Sequence, residues 1–461
     1  MYPETFIRRA PVYSYDLSGG NKYMTLYKGL RDDILGGKLR AGQKLPGKRT
    51  LARDLGVSVV TVQTAYEQLL AEGYIRSEER RGYFVCAADM AVNERPPTIP
   101  VAEEERREYA ADFVGGSTPA ELFPFSSWAK LMRGVLTDCG EHLLERVPAA
   151  GDGELRCALS DYLYRARGIW ADPSLIVIGA GAEQLYDIIV RLVGRDRLYG
   201  IENPGYSTIR RSYASAGARC VPLPVGAEGM DCKAALSSGA DVLHISPAHQ
   251  FPTGAVMPVT ARAKLISYAD GRDGYIVEDD YDSEFRLVGK PLQPAYALCP
   301  DRVIYVNTFS KTLAPSMRMG YMVLPRGLAG RYFELFGDAS SSVPLFEQRA
   351  LARMIAGGTF ERHINRLRNY YRGVREVLLS KLGELACPHS VCENGAGLHF
   401  TVKFPSASDG EIKSRALAAG INLRCLSDYL IAPREDCART AVINYSGIIL
   451  DRARALDLKN I

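Results

Sequence analysis

The chain has 461 residues, 47% hydrophobic and 24% charged with a net charge of +4, a balance that excludes a disordered or fibrous protein. No apolar run approaches the roughly 18 residues that span a bilayer, and Arg8 and Arg9 are not followed by the apolar stretch of a secretory signal, so a cytoplasmic protein with no membrane partner is expected. Ten scattered cysteines form no Cys-x-x-Cys pair, and the nearest group, Cys387, His389 and Cys392, lacks zinc spacing, so no metal is expected.

The charge is unevenly spread. Residues 1–90 hold 14 Lys/Arg and 10 Asp/Glu, which accounts for the whole +4 and leaves the rest neutral. Such a basic front end suits a polyanion. Tyr23, Leu26, Tyr27, Leu30 and Ile34 recur at helical spacing and predict a helix over 22–35, stopped by Gly36-Gly37. A short helix follows over 48–55, ended by Gly56, and Ser58 is the expected N-cap of a third that runs to about Glu72. Two short strands, 74–76 and 83–85, flank the turn 78–82. Three helices and a hairpin describe a winged helix-turn-helix over 1–86. Its recognition helix would offer Ser58, Thr61, Gln63 and Thr64 to base edges. Lys44, Lys48, Arg49 and Arg53 would meet phosphates, with Arg80 and Arg81 at the wing tip. The expected partner is double-stranded DNA.

The ordered run Gly42, Leu45-Pro46, Arg49, Leu51-Ala52, Leu55-Gly56-Val57-Ser58, Thr61-Val62, Ala65-Tyr66, Leu69, Glu72-Gly73-Tyr74 and Gly82 resembles the GntR-type winged helix-turn-helix. The family usually has a basic residue after the serine that opens the recognition helix; here Val59 stands there.

Residues 87–111, with Pro96, Pro97, Pro100 and a charge run at 103–108, read as a linker to a body over 112–461. The body alternates helical stretches with apolar runs at 175–178, 198–202, 219–222, 242–245, 275–278, 303–306 and 320–324. Continuous apolar runs predict strands covered on both faces, and the alternation predicts an α/β fold with a mostly parallel seven-stranded sheet. Runs at 398–404 and 441–445 predict the strands of a small C-terminal α+β subdomain.

Lys311 follows the run at 303–306, beside Thr308 and Ser310 and seven residues before Arg318. An amine, two hydroxyls and a guanidinium at a strand end suit a phosphorylated aldehyde cofactor: the amine forms a Schiff base and the other groups hold the phosphate. Glu278-Asp279-Asp280-Tyr281 ends another strand, where a carboxylate can pair with a pyridinium nitrogen and a phenol with the ring hydroxyl. The turn Gly179-Ala180-Gly181-Ala182 opens a helix and offers amides to a phosphate.

These segments, with Gly151–Arg156, Asn203-Pro204-Gly205-Tyr206 and His249–Gly254, resemble the fold type I aminotransferases, which bind pyridoxal 5′-phosphate. The resemblance implies that Lys311 forms the Schiff base, Asp279 pairs with the pyridine nitrogen, Tyr281 binds the ring hydroxyl and Tyr206 stacks on the ring. It implies a phosphate site of Thr308, Ser310, Arg318 and the amides of Gly181 and Ala182. The joined halves resemble the MocR family of transcriptional regulators. That resemblance implies a DNA-binding homodimer that senses pyridoxal 5′-phosphate and a small amine or amino acid, and controls genes of vitamin B6 or amine and amino acid metabolism.

Two departures bear on turnover. Phe251 stands where aminotransferases have an asparagine before Pro-Thr-Gly, and Val442-Ile443-Asn444-Tyr445 lacks the arginine that grips a substrate carboxylate. Arg424 and Arg439 are nearby but out of register in the sequence. The alternatives are an active aminotransferase with an appended DNA-binding domain, or a body kept only for dimerisation.

Overall fold

The structure, a computed structural model, describes residues 13–17, 20–87, 107–116, 118–289 and 292–458. The chain divides into two compact units, Met1–Arg106 and Arg107–Ile461. Most of the expected linker 87–111 lies outside the described residues, and Ala111, its last residue, opens a strand.

In the first unit, α1 (Lys22–Leu35) buries Leu26, Tyr27, Leu30 and Ile34 on one face. Helix α2 (Lys48–Leu55) ends at Gly56, whose φ of 65° is the left-handed turn that glycine makes without steric cost. Helix α3 (Val59–Ala71) begins where the Ser58 hydroxyl accepts the Thr61 amide at 3.1 Å. Strands β1 (Ile75–Glu78) and β2 (Gly82–Val85) pair antiparallel, with Ile75 opposite Val85. Leu26, Leu30, Leu51, Val62, Tyr66 and Leu69 meet Ile75 and Val85 in one core. Each such side chain contributes about 1.5–3 kcal/mol of burial.

In the second unit, β3 (Ala111–Asp112) is followed by the strands of the large sheet. These are β4 (Ile176–Gly179), β5 (Leu198–Asn203), β6 (Arg219–Gly226), β7 (Gly229–Met230), β8 (Val242–Ile245), β9 (Tyr275–Asp279), β10 (Val303–Thr308) and β11 (Gly320–Val323). Their order is β4-β11-β10-β9-β8-β5-β6-β7. The pairs among β10, β9, β8, β5 and β6 are parallel; β11 and β7 run antiparallel to their neighbours. Seven strands match the sequence expectation and two-residue β7 is an eighth. It arises because β6 runs on past Pro222 and Pro224, which lie where β6 has no partner on its far side. Alternation sends Val303 and Tyr305 into the core on one face and Ile304 and Val306 into the core on the other.

The small subdomain has β12 (Ser390–Cys392), β13 (His399–Lys403), β14 (Ile421–Asn422), β15 (Arg424–Cys425) and β16 (Thr440–Asn444). Four of them form an antiparallel sheet in the order β12-β13-β16-β15. The helix Thr359–Leu382 covers it through Leu367, Tyr371, Val374 and Leu378. Strand β14 pairs with β3, so the first strand of this unit belongs to the small subdomain. Among the described residues no helix is long and apolar enough to cross a membrane.

Candidate functional site

Strand register gathers one set of residues at one edge of the large sheet. Gly179 on β4 lies opposite Gly320 on β11, Gly320 opposite Thr308 on β10, and Val306 opposite Asp279 on β9. The segments that leave this edge carry Gly181 and Ala182, Ser310 and Lys311, and Arg318. The edge of an open α/β sheet beyond its carboxyl strand ends is where such folds bind ligands.

Lys311 Nζ donates to the Gly116 carbonyl at 2.7 Å and to Ser446 Oγ at 3.1 Å. Burial pushes its pKa down to about 8, against the opposing pull of Asp282. An amine poised there is a nucleophile near neutral pH. Neither Gly116 nor Ser446 was foreseen from sequence; both lie more than 130 positions from Lys311, and no local pattern links them.

Asp279 is buried at the end of β9. Its Oδ2 accepts the Tyr186 phenol at 2.7 Å and lies 3.5 Å from His244 Nε2, while the other nitrogen of His244 meets the Tyr213 hydroxyl at 2.7 Å. Tyr186 and His244 thus hold the carboxylate, and Tyr213 holds His244. The one signal for them was a histidine inside an otherwise apolar β8. The Tyr281 hydroxyl lies 3.5 Å from His249 Nδ1, which is 2.9 Å from Asp282 Oδ2. Tyr206 is half exposed, edge-on to Phe251 with ring centroids 6.2 Å apart.

The helix Ala182–Val193 presents its amino end at the same edge. Arg318, held at φ 44°, lies against the turn: a Cβ on Gly181 would stand 3.2 Å from its Nη2. Among the described residues Arg318 pairs with no carboxylate, and the Thr308 and Ser310 hydroxyls make no side-chain hydrogen bond. The Gly181 amide already donates to the Gly179 carbonyl at 2.9 Å, because the turn before the helix closes on itself. The helix's own first amides, beginning with Ala182, are the open ones.

In the first unit, Ser58 and Gln63 are exposed and Thr61 and Thr64 partly so. Ser58 is committed to its cap and to Thr61 Oγ1 at 2.8 Å, and Thr64 donates to the Val60 carbonyl at 3.0 Å. Gln63 donates to Glu67 at 2.7 Å. Val59 and Val60 are exposed beside them, at 42% and 71%. Lys44, Arg49, Arg53, Arg80 and Arg81 are exposed and Lys48 is half-buried. Arg80 takes φ 61° at the wing tip, and Arg81 pairs with Glu78 at 2.7 Å. Lys44 and Lys48 lie over Phe84 and Tyr83, which fixes their stems beside the hairpin.

Residues 22–85 match the gntR family of bacterial regulatory proteins. Over 444 residues the chain is 34% identical to the probable rhizopine catabolism regulatory protein MocR of Rhizobium meliloti, covering 92% of this chain and 90% of that one. Over 407 residues it is 31% identical to the pyridoxine biosynthesis transcriptional regulator PdxR of Corynebacterium glutamicum, covering 87% of each. The structure of Pyrococcus horikoshii kynurenine aminotransferase in complex with PMP aligns with a TM-score of 0.68 at 25% identity, over 76% of this chain and 89% of that one. Fold and site together define a helix-turn-helix transcriptional regulator built on an aminotransferase-like body. The chain belongs to the MocR-type regulators of the GntR class.

Proposed function

We propose that this regulator acts in the cytoplasm as a homodimer on duplex DNA and senses pyridoxal 5′-phosphate through Lys311, together with a small amine or amino acid. The genes it controls belong to vitamin B6 or to amine and amino acid metabolism, a reading supported by its likeness to PdxR and MocR. Exposed Phe125, Leu136 and Leu144 support a homodimer. The observation that carries the proposal is the half-buried Lys311 amine, pushed down to about 8 on the sheet edge shared with Asp279, Thr308 and Arg318.

The residues present fit this cofactor. The cradle at Gly181 is one a Cβ would crowd, and among the described residues the guanidinium beside it pairs with no acid. When bound, the cofactor supplies an aldehyde that takes up a primary amine. Lys311 provides the amine, Asp279 a carboxylate for the ring nitrogen, and Tyr281 a hydroxyl for the ring oxygen. Arg318, Thr308, Ser310 and the Ala182 amide would hold the phosphate. Tyr206 would cover the ring, and the exposed cations of the first unit would contact DNA.

The test is addition of pyridoxal 5′-phosphate to purified protein, watched for a new absorbance band, and repeated with Lys311→Ala. A band that persists without Lys311 overturns the proposal. A working aminotransferase is opposed by Phe251 and by the missing guanidinium at Val442, since orientation of an α-amino acid then lacks its clamp. Keto-acid production from a panel of amino acids is expected to be absent.

A further inference from the structure

The first turn of α3 turns apolar side chains to solvent in a unit built to meet a polyanion. We infer that Val59 and Val60 read thymine, through its 5-methyl group in the major groove. The inference deepens the proposed action on duplex DNA and rests on it.

The fold gives no reason for these two residues. Val62, Ala65, Tyr66 and Leu69 make the buried face of α3, whereas Val60 is 71% exposed and Val59 42%. Valine is also a poorer helix former than alanine, since its branched side chain loses rotamer freedom in a helix. An adjacent pair of exposed valines therefore adds nothing to the core or to the helix. Residues that break a local rule without a structural return are expected at functional positions. In helix-turn-helix domains it is the N-terminal residues of the second helix that contact base edges.

The helical period defines the outer face. Residues three and four apart are neighbours on a helix, so Val59, Val60, Gln63, Thr64 and Glu67 line it, all exposed or partly so. Over its 13 residues α3 has no Lys or Arg, and Glu67 is its one charge. Guanine is read by an arginine or lysine and cytosine by a carboxylate. The first is absent from α3. Glu67 stands seven residues, about 10 Å, beyond Val60 along the axis, where its charge keeps that end of the helix off the phosphates. Adenine is read by the two-pronged amide of asparagine or glutamine, and Gln63 donates its NH2 to Glu67 at 2.7 Å. The hydroxyls are engaged as well: Ser58 with the Thr61 amide and hydroxyl, and Thr64 with the Val60 carbonyl. The first turn thus leaves methyl groups free, and thymine alone among the bases offers a methyl group in that groove.

Charge complementarity favours the same partner. Residues 22–53 hold nine Lys/Arg and two Asp/Glu. Exposed Arg49 and Arg53 lie on α2, which shares a core with α3 through Leu51 and Val62. Exposed Lys44 lies over Phe84 of the hairpin. Cations on the neighbouring helix and hairpin would hold the duplex by its phosphates, contacts that position it without reading it. The apolar turn supplies the reading.

The test selects the full chain on a library of randomised duplexes. Binding to the enriched duplex is then measured by fluorescence anisotropy, with each thymine replaced in turn by uracil, which lacks the methyl group. At least one replacement is expected to weaken binding about fourfold, the worth of burying about one methylene. Val60→Ala is expected to lose about as much on the thymine duplex and to become indifferent to uracil at that position. Its slope of log affinity against log salt should equal that of the native chain, since no phosphate contact is lost. Uracil tolerated at every thymine, or a uracil effect that survives in the double variant Val59→Ala/Val60→Ala, overturns this role of the valines and leaves DNA binding standing. A chain that retains no duplex even at low salt overturns the action on DNA, and this inference with it.

Discussion

The depressed Lys311 amine makes a quantitative claim about rate. An ordinary lysine has a pKa of 10.5, whereas burial brings this one to about 8. At pH 7 about one tenth of Lys311 is then free base, roughly 300 times the fraction of an ordinary lysine. Because only the free base attacks a carbonyl, the rate of cofactor uptake should rise about tenfold per pH unit up to about pH 8 and level off above it. Stopped-flow absorbance after mixing with pyridoxal 5′-phosphate gives this profile directly. Asp282 opposes the depression, so Asp282→Asn should move the inflection to lower pH. Lys311→Ala should show no uptake phase. A rate that keeps climbing to the ordinary lysine value of 10.5 would refute the claim that the fold activates this amine.

Arg49→Ala and Arg53→Ala should each weaken DNA binding across sequences and reduce the slope of log affinity against log salt by about 0.9 per lost phosphate contact; an unchanged slope contradicts the docking face. The exposed 3.3 Å pair between Arg53 and Asp54 does not prevent this, since such pairs hold weakly. Ser58→Ala removes the cap of α3 and should cost about 1 kcal/mol of the front unit's stability by denaturant melting, with Ser58→Asp restoring most of it. Glu202 is raised by burial from 4.5 to about 8, so the folded chain keeps a proton that the unfolded chain has lost. The stability this group contributes is present below about 4.5 and is lost as pH rises toward about 8. Glu202→Gln should therefore gain on the native chain in melting temperature from about pH 5 to about pH 8; a constant difference refutes the shift.

Local patterns made much of this molecule legible. The helix periodicity of 22–35, the glycine stop at 56 and the serine cap at 58 each act within a few residues, and each appears where the sequence implies it. The large sheet was legible because buried parallel strands are written as unbroken apolar runs. What sequence could not supply was contact across distance. The partners of Lys311, the Tyr186–His244–Tyr213 support behind Asp279 and the pairing of Arg424 with Val442 all depend on how distant segments stack. Val442 and Arg424 are 18 positions apart and become neighbours only through an antiparallel register. The turn at Gly181 shows a subtler limit: its composition announced a phosphate loop, but its backbone satisfies one of its own amides.

A regulator has reason to keep a reactive lysine even where turnover is not selected. Lys311 donates to the Gly116 carbonyl, and Thr118 donates back to the Lys311 carbonyl at 3.2 Å. A Cβ on Gly116 would stand 2.9 Å from Nζ, so a glycine lets this segment close on the amine. Gly116 follows β3 by four positions, on the stretch of chain that comes into the body from the linker side. A ligand that took up this amine would leave its nitrogen with too few protons to serve both Gly116 and Ser446. Each net hydrogen bond is worth about 1 kcal/mol, a factor of about five in an equilibrium. Ligand chemistry at Lys311 would thus change the free energy of the segment around Gly116. Differential stabilisation of that kind is what a ligand needs in order to shift a population.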